Sequence, residues 1–140
     1  MGRLSNRVAI VTGAGSGIGR GIARRLAAEG AAVTIAEFNP KSGQATAAEI
    51  EHDFGTRALA LQVDVCDKAQ VERMVHATIE AFGSADILVN NAWSRRRGSA
   101  AYAPVDAKID ADFDHAFRVG YMAALWAMQA VFPLMRERNW

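Results

Sequence analysis

The stretch Val11–Gly21, "VTGAGSGIGRG", decides how the rest of the chain is read. It starts inside a β-branched run, "RVAIVTG" (Arg7–Gly13), and ends where apolar residues begin to recur four apart, at Ile18, Ile22 and Leu26. The strict G-x-G-x-x-G spacing is not met. The pattern is Thr12-Gly13, then Gly17 and Gly19 with one residue between them. The physics is the same for either spacing. Glycines let the backbone turn sharply and remove the side chains that would hold a ligand away from it. The helix that follows opens with N–H groups that have no internal partner, at the positive end of its dipole. A strand, a bare turn and a helix start in that order make a cradle for phosphate groups, above all a pyrophosphate.

Working outward, three more apolar runs follow: "AAVTIAE" (Ala31–Glu37), "RALALQVDV" (Arg57–Val65) and "ADILVNNA" (Ala85–Ala92). The stretches between them have helical spacing, clearest at Val71, Met74, Val75, Thr78, Ile79 and Phe82. Gly30, Gly55 and Gly83 are placed as helix stops, and Asn39-Pro40 and Asp67 as helix starts. Apolar strands alternating with helices predict one α/β domain over residues 1–140, a doubly wound parallel sheet covered on both faces.

A last helix is expected over about Asp112–Arg138, with Pro133 kinking it near its end. One apolar stripe is Phe113, Ala116, Phe117, Gly120, Ala124, Ala127, Val131 and Leu134. A second is Tyr121, Leu125, Met128, Phe132 and Met135. A helix apolar on two sides is buried on two sides. One side is assigned to the sheet, and the other to a continuation of the chain or a second subunit, so a homo-oligomer through this helix is expected.

Composition excludes several classes. Half of the residues (51%) are hydrophobic and 22% are charged, so a folded globular domain is expected rather than a disordered one. A net charge of +1 gives no electrostatic case for nucleic acid. No apolar run approaches the roughly 20 residues of a membrane span, and no signal-peptide core precedes the first strand. The single cysteine, Cys66, forms no internal disulfide and is read as packing; a reducing, cytoplasmic setting is expected. His52, His76 and His115 lack metal-ligand spacing and are read as surface or packing residues, with no metal site.

Glu37 ends the second apolar run, 18 residues after Gly19. An acid at that place accepts hydrogen bonds from the adenosine ribose hydroxyls and repels a 2′-phosphate. Phe38 follows it and brings no positive charge, so NAD is expected over NADP.

Four segments in order, "TGAGSGIG" (Thr12–Gly19), Glu37, Asp64-Val65 and "NNA" (Asn90–Ala92), resemble the short-chain dehydrogenase/reductase family, classical type. The resemblance runs through all 140 residues and covers the cofactor-binding part of such a protein. It implies a Rossmann-type sheet of order 3-2-1-4, with ligands bound where the order reverses, beyond Gly13 and Asn90. It implies that Asp64 binds the adenine amino group, Val65 lines the adenine pocket, Asn90 steadies the central sheet and Ala92 lies near the ribose. The expected cofactor-binding set is Gly13, Ser16, Gly17, Ile18, Gly19, Glu37, Phe38, Asp64, Val65, Asn90, Asn91 and Ala92.

The sequence departs from that family at three places. Its Tyr-x-x-x-Lys acid/base motif is missing: Tyr102 is followed four residues later by Asp106, and Tyr121 by Leu125. Gly120 stands where the family usually carries an asparagine that helps hold a relay water, so the relay is built differently or close packing needs the glycine. Trp93 stands where a glycine usually follows "NNA"; its indole is a candidate wall for the substrate pocket. Arg95, Arg96 and Arg97 come next, either greeting an acidic substrate group or simply solvated. Two functions are weighed. The first is the cofactor-binding half of an enzyme that moves hydride between NAD and an alcohol or ketone, inactive without the missing motif. The second is a non-catalytic NAD-binding module or a subunit completed by a partner chain.

Overall fold

A computed structural model describes residues 2–99 and 104–139. Tyr102 and Trp140 lie outside the described residues. Four strands, β1 (Val8–Thr12), β2 (Ala32–Glu37), β3 (Ala58–Gln62) and β4 (Ile87–Val89), form one parallel sheet of order β3-β2-β1-β4. Between them run α1 (Gly17–Ala28), α2 (Pro40–Phe54) and α3 (Lys68–Phe82). This is the doubly wound Rossmann-type arrangement that the alternation of strands and helices predicts.

The strands are shorter than the apolar runs that predict them. The third expected strand, Arg57–Val65, pairs only over Ala58–Gln62, and the fourth, Ala85–Ala92, only over Ile87–Val89. The leftover residues leave the sheet to make bonds of their own. Val63 still donates one ladder bond to the Glu37 carbonyl, whereas Asp86 turns a carboxylate oxygen back to the Val8 N–H at 2.9 Å. The Asp86 side chain is buried between Arg138 at 3.4 Å and Arg7 at 3.8 Å, which ties β4 to β1 at their amino ends. A buried carboxylate is tolerable only with such partners.

The two faces of the sheet carry separate cores. Val11, Val33 and Ile35 pack with Ala23, Ala27, Ala47 and Ile50 of α1 and α2. Ile10, Val63 and Val65 pack with Val71, Met74 and Val75 of α3 and with Ala123, Trp126, Ala127 and Val131 of the last helix. Ile10, Ile35 and Ile50 are fully buried, each worth about 1.5–3 kcal/mol in area removed from water. Alternate residues of β1 face opposite cores, as the strand period of two requires.

The last helix differs from its sequence reading. It is α4 (Asp110–Phe117), then a five-residue π-helical turn (Arg118–Met122), then α5 (Ala123–Glu137). A π turn holds an extra residue, so the face before it is rotated relative to the face after it. Ala127 and Val131 of the expected first stripe are buried, but Phe113 and Phe117 are more than half exposed. Val119, Ala123 and Trp126 take their place in the core. Exposed Phe113, Phe117, Tyr121, Met128 and Phe132 form the uncovered apolar face, with Phe117 and Tyr121 stacked at 4.9 Å. Pro133 lies inside α5 and cannot donate to the Gln129 carbonyl, yet the helix continues past it to Glu137. Among the described residues no helix is long and apolar enough to cross a membrane.

Candidate functional site

The glycine turn starts where β1 ends. Thr12 places its hydroxyl toward β4, 3.4 Å from the Val89 carbonyl, and accepts the N–H groups of Asn91 and Ala92 at 3.1 and 3.0 Å. Asn91 returns its side-chain amide to the carbonyls of Thr12 (2.9 Å) and Gly13 (3.2 Å). β4 and the turn are thus one hydrogen-bonded unit. These bonds are made by Asn91, the neighbour of Asn90. Successive strand residues point to opposite sides, and it is Asn91 that faces the turn. Asn90 lines a cavity of about 20 Å³ with Thr12, Val119 and Gly120, room for about one water.

The glycines of the turn have different reasons for being glycine. A Cβ on Gly19 would stand 2.2 Å from the Gly13 carbonyl oxygen and 2.4 Å from the Asn91 amide nitrogen. Gly19 therefore lets α1 pack against the turn. Gly17 has φ +52° and nothing within 4 Å of where a Cβ would be. Its bareness serves no packing and faces open space. Ser16, the residue capping α1, makes no side-chain bond to the helix end. The first amides of α1 are left for something else.

That open space is a cleft of about 780 Å³ at the carboxyl ends of the strands, within the range of small-molecule and cofactor sites. Of the expected set, Gly13, Ser16, Gly17, Ile18, Gly19, Glu37, Phe38, Asp64, Val65, Asn91 and Ala92 line it, and so does Trp93. Asn90 alone of that set does not. Glu37 lies against the glycine turn at one end of the cleft, one carboxylate oxygen taking the Gly15 N–H (2.9 Å) and the other the Asn39 N–H (3.2 Å). Asp64 receives the Cys66 N–H on Oδ1 at 2.9 Å, while its own N–H goes to Gln70. Burial, aided by the Asp64 carboxylate and opposed by Arg118, pushes the Cys66 thiol up. It stays a thiol at neutral pH, in keeping with a packing role.

The cleft also takes in residues outside the expected cofactor-binding set. His115, read as surface or packing, lines it and bonds to the Ser94 hydroxyl at 3.1 Å. Arg95 and Arg97 line it as well. The arginine run is not simply solvated. Arg96 pairs with Asp112 of α4 at 2.8 Å. Burial works to raise the Asp112 carboxyl, but bonds from Arg96, Ser99 and the Ile109 amide hold it below the usual range. Arg95 lies 5.9 Å from the Trp93 ring centre and Arg97 5.5 Å from that of Phe38. Trp93 is well exposed at the cleft mouth. Gly120 lies in the π turn, and no atom is within 4 Å of a Cβ built on it. Close packing therefore does not need this glycine.

The glycine turn fits a dinucleotide: it has uncapped helix amides, a Gly17 with open space before it, and an acid, Glu37, beside it in the cleft. No group of His, Cys, Asp and Glu able to hold a metal occurs among the described residues.

Comparison with known proteins agrees. A family profile described as short chain dehydrogenase matches residues 7–140. Galactitol 2-dehydrogenase of Agrobacterium fabrum is 38% identical over 136 residues, 97% of this chain and 50% of that protein. The crystal structure of L-sorbose reductase from Gluconobacter frateurii, complexed with NADPH and L-sorbose, superposes with a TM-score of 0.88 at 33% identity, over 99% of this chain and 50% of the other. NAD+-bound xylitol dehydrogenase gives 0.89 at 30% identity, over 99% and 51%. The chain spans about half the length of these relatives. It belongs to the short-chain dehydrogenase family.

Proposed function

We propose that this chain is the dinucleotide-holding part of an oxidoreductase that moves hydride between NAD and an alcohol or ketone. The observation that carries the reading is the bare, uncapped start of α1 beside Glu37 in one cleft. The nicotinamide nucleotide, when bound, supplies the hydride acceptor or donor. The amides of Gly17, Ile18 and Gly19, in the uncapped first turn of α1, hold its pyrophosphate by hydrogen bonds and the α1 dipole. Glu37 accepts the ribose hydroxyls and disfavours a 2′-phosphate, so NAD is preferred. Asp64 takes the adenine amino group on the oxygen not used by Cys66, and Val65 lines the base pocket. Ala92 backs the ribose. Trp93 walls the substrate side, opposite the adenosine end.

Within these 140 residues no tyrosine is followed by a lysine four residues on, so no proton-transfer step is assigned to them. Their work is binding and orientation. The similarity to polyol and sugar dehydrogenases supports a small hydroxylated substrate. We also infer that the stripe Phe113, Phe117, Tyr121, Met128 and Phe132 is covered by a second copy, because a contiguous apolar face of that kind marks a contact surface.

Calorimetric titration of the protein with NAD tests the reading. Saturable one-site binding that is weakened at least about tenfold in Gly17→Ala is expected. No saturable binding by the unaltered protein contradicts it. Binding without turnover of any alcohol or ketone by the protein as its gene encodes it would instead make it a nucleotide-binding module.

A further inference from the structure

The sequence assigns the ribose end of the cleft an acid, Glu37, followed by an uncharged Phe38. The structure adds a cation there from a distant part of the chain. The residues after β4 fold back across the cleft and are held by specific bonds. Arg96 donates to Asp112 at 2.8 Å and to the carbonyl of Arg97 at 3.4 Å. The Ser99 N–H closes a four-residue turn on the Arg96 carbonyl at 3.0 Å. Gly98, third in that turn, has φ +76°, the left-handed value that such a turn asks of its third residue. With its neighbours fixed on both sides, Arg97 extends to β2, where its guanidinium lies 5.5 Å over the Phe38 ring. Among the described residues no carboxylate pairs with it. Phe38 is the residue next to Glu37, and all three line the same cleft.

This inference rests on the dinucleotide reading and refines it. We propose that Arg97 is a specificity-determining residue: it sets, together with Glu37, how strongly the site discriminates between a ribose 2′-hydroxyl and a 2′-phosphate. Glu37 repels a phosphate, and both of its oxygens already accept backbone N–H groups from Gly15 and Asn39. A guanidinium offers forked donors that match phosphate oxygens and remains charged at any working pH. Screening sets in over about 10 Å, and Arg97 lies 5.5 Å from the ring of the residue next to Glu37, so its field reaches the ribose end. Arg97 therefore softens the exclusion that Glu37 imposes. The site accepts the 2′-phosphorylated nucleotide better than the acid alone would allow, while still preferring NAD.

The test compares two adenosine-end probes, 5′-AMP and adenosine 2′,5′-bisphosphate, by titration of the intact protein and of Arg97→Gln and Arg97→Lys. Loss of the charge in Arg97→Gln is expected to weaken adenosine 2′,5′-bisphosphate about tenfold and 5′-AMP by less than about twofold. Arg97→Lys, which keeps the charge, is expected to retain most of the bisphosphate affinity. The difference between the probes shrinks as salt is raised. An equal loss for both probes overturns the proposal, because Arg97 then only stacks on the base. No loss for either also overturns it. Failure of the unaltered protein to bind 5′-AMP would overturn the dinucleotide reading itself, and this inference with it.

Discussion

The three helices that leave the carboxyl ends of β1, β2 and β3 begin in two different ways. α2 and α3 satisfy their own ends. Asn39 accepts the Lys41 N–H at 3.0 Å, and Asp67 accepts those of Ala69 and Gln70 at 2.9 and 3.3 Å. α1 does not: Ser16 caps nothing, and Gly17 is bare toward the cleft. A side-chain cap contributes about 1 kcal/mol to a helix, so leaving one out has a cost that packing does not explain here. The helix that forgoes its own cap lies beside Glu37, whereas the capped ones need no ligand. Within α1 the same contrast recurs between Gly19, crowded by the turn, and Gly17, crowded by nothing.

The comparison is broken most violently at Gly19. Gly19→Ala drives a methyl against the Gly13 carbonyl and is expected to cost about 3 kcal/mol or more, read by urea denaturation. Gly17→Ala should cost only about 1–2 kcal/mol, the strain of φ +52°. It should nevertheless weaken NAD at least about tenfold, because the methyl occupies the ligand's approach. If Gly17→Ala binds NAD normally, the open space before α1 is not the phosphate site.

Asp67→Ala should do the opposite: Tm falls by roughly 4 °C with NAD affinity hardly changed. The cap also predicts a pH dependence. Bonds from the Gln70 side chain and from the Gln70 and Ala69 amides hold the Asp67 carboxyl below its usual range. A depressed folded value means that the stabilisation is present above the ordinary carboxylate pKa of about 3.9 and is lost as pH falls below it. Asp67→Asn keeps a capping oxygen without the titration. Its acid-unfolding limb should be shallower than that of the unaltered protein.

Much of this was legible in the sequence. The caps at Asn39 and Asp67 and the left-handed stops at Gly55 and Gly83 follow from short-range chemistry, whereas the strand order and the expected cleft lining, met by eleven of twelve residues, rest on the family resemblance. What was hidden depended on register or on distant partners. A 3.6-residue pattern cannot reveal a single extra residue in a turn, so the π turn and the outward rotation of Phe113 and Phe117 went unseen. Which of Asn90 and Asn91 faces the turn is fixed by the phase of β4, which two adjacent asparagines do not disclose. Nor does "SRRRGS" carry a period that shows Arg96 reaching Asp112, 16 residues on, or Arg97 reaching Phe38, 59 residues back. The smallest expected effect belongs to the π turn. Gly120 lacks a positive φ and any neighbour, so Gly120→Ala should stabilise the protein by about 0.5–1 kcal/mol, measured by denaturation.

The free amides at the start of α1 are the phosphate site we propose. Recording backbone amide resonances of the protein during titration with NAD tests it most directly. Saturable shifts are expected at Gly17, Ile18 and Gly19, with the capped amides of Ala69 and Gln70 unmoved. Saturation of the protein with no shift in the glycine turn would contradict it.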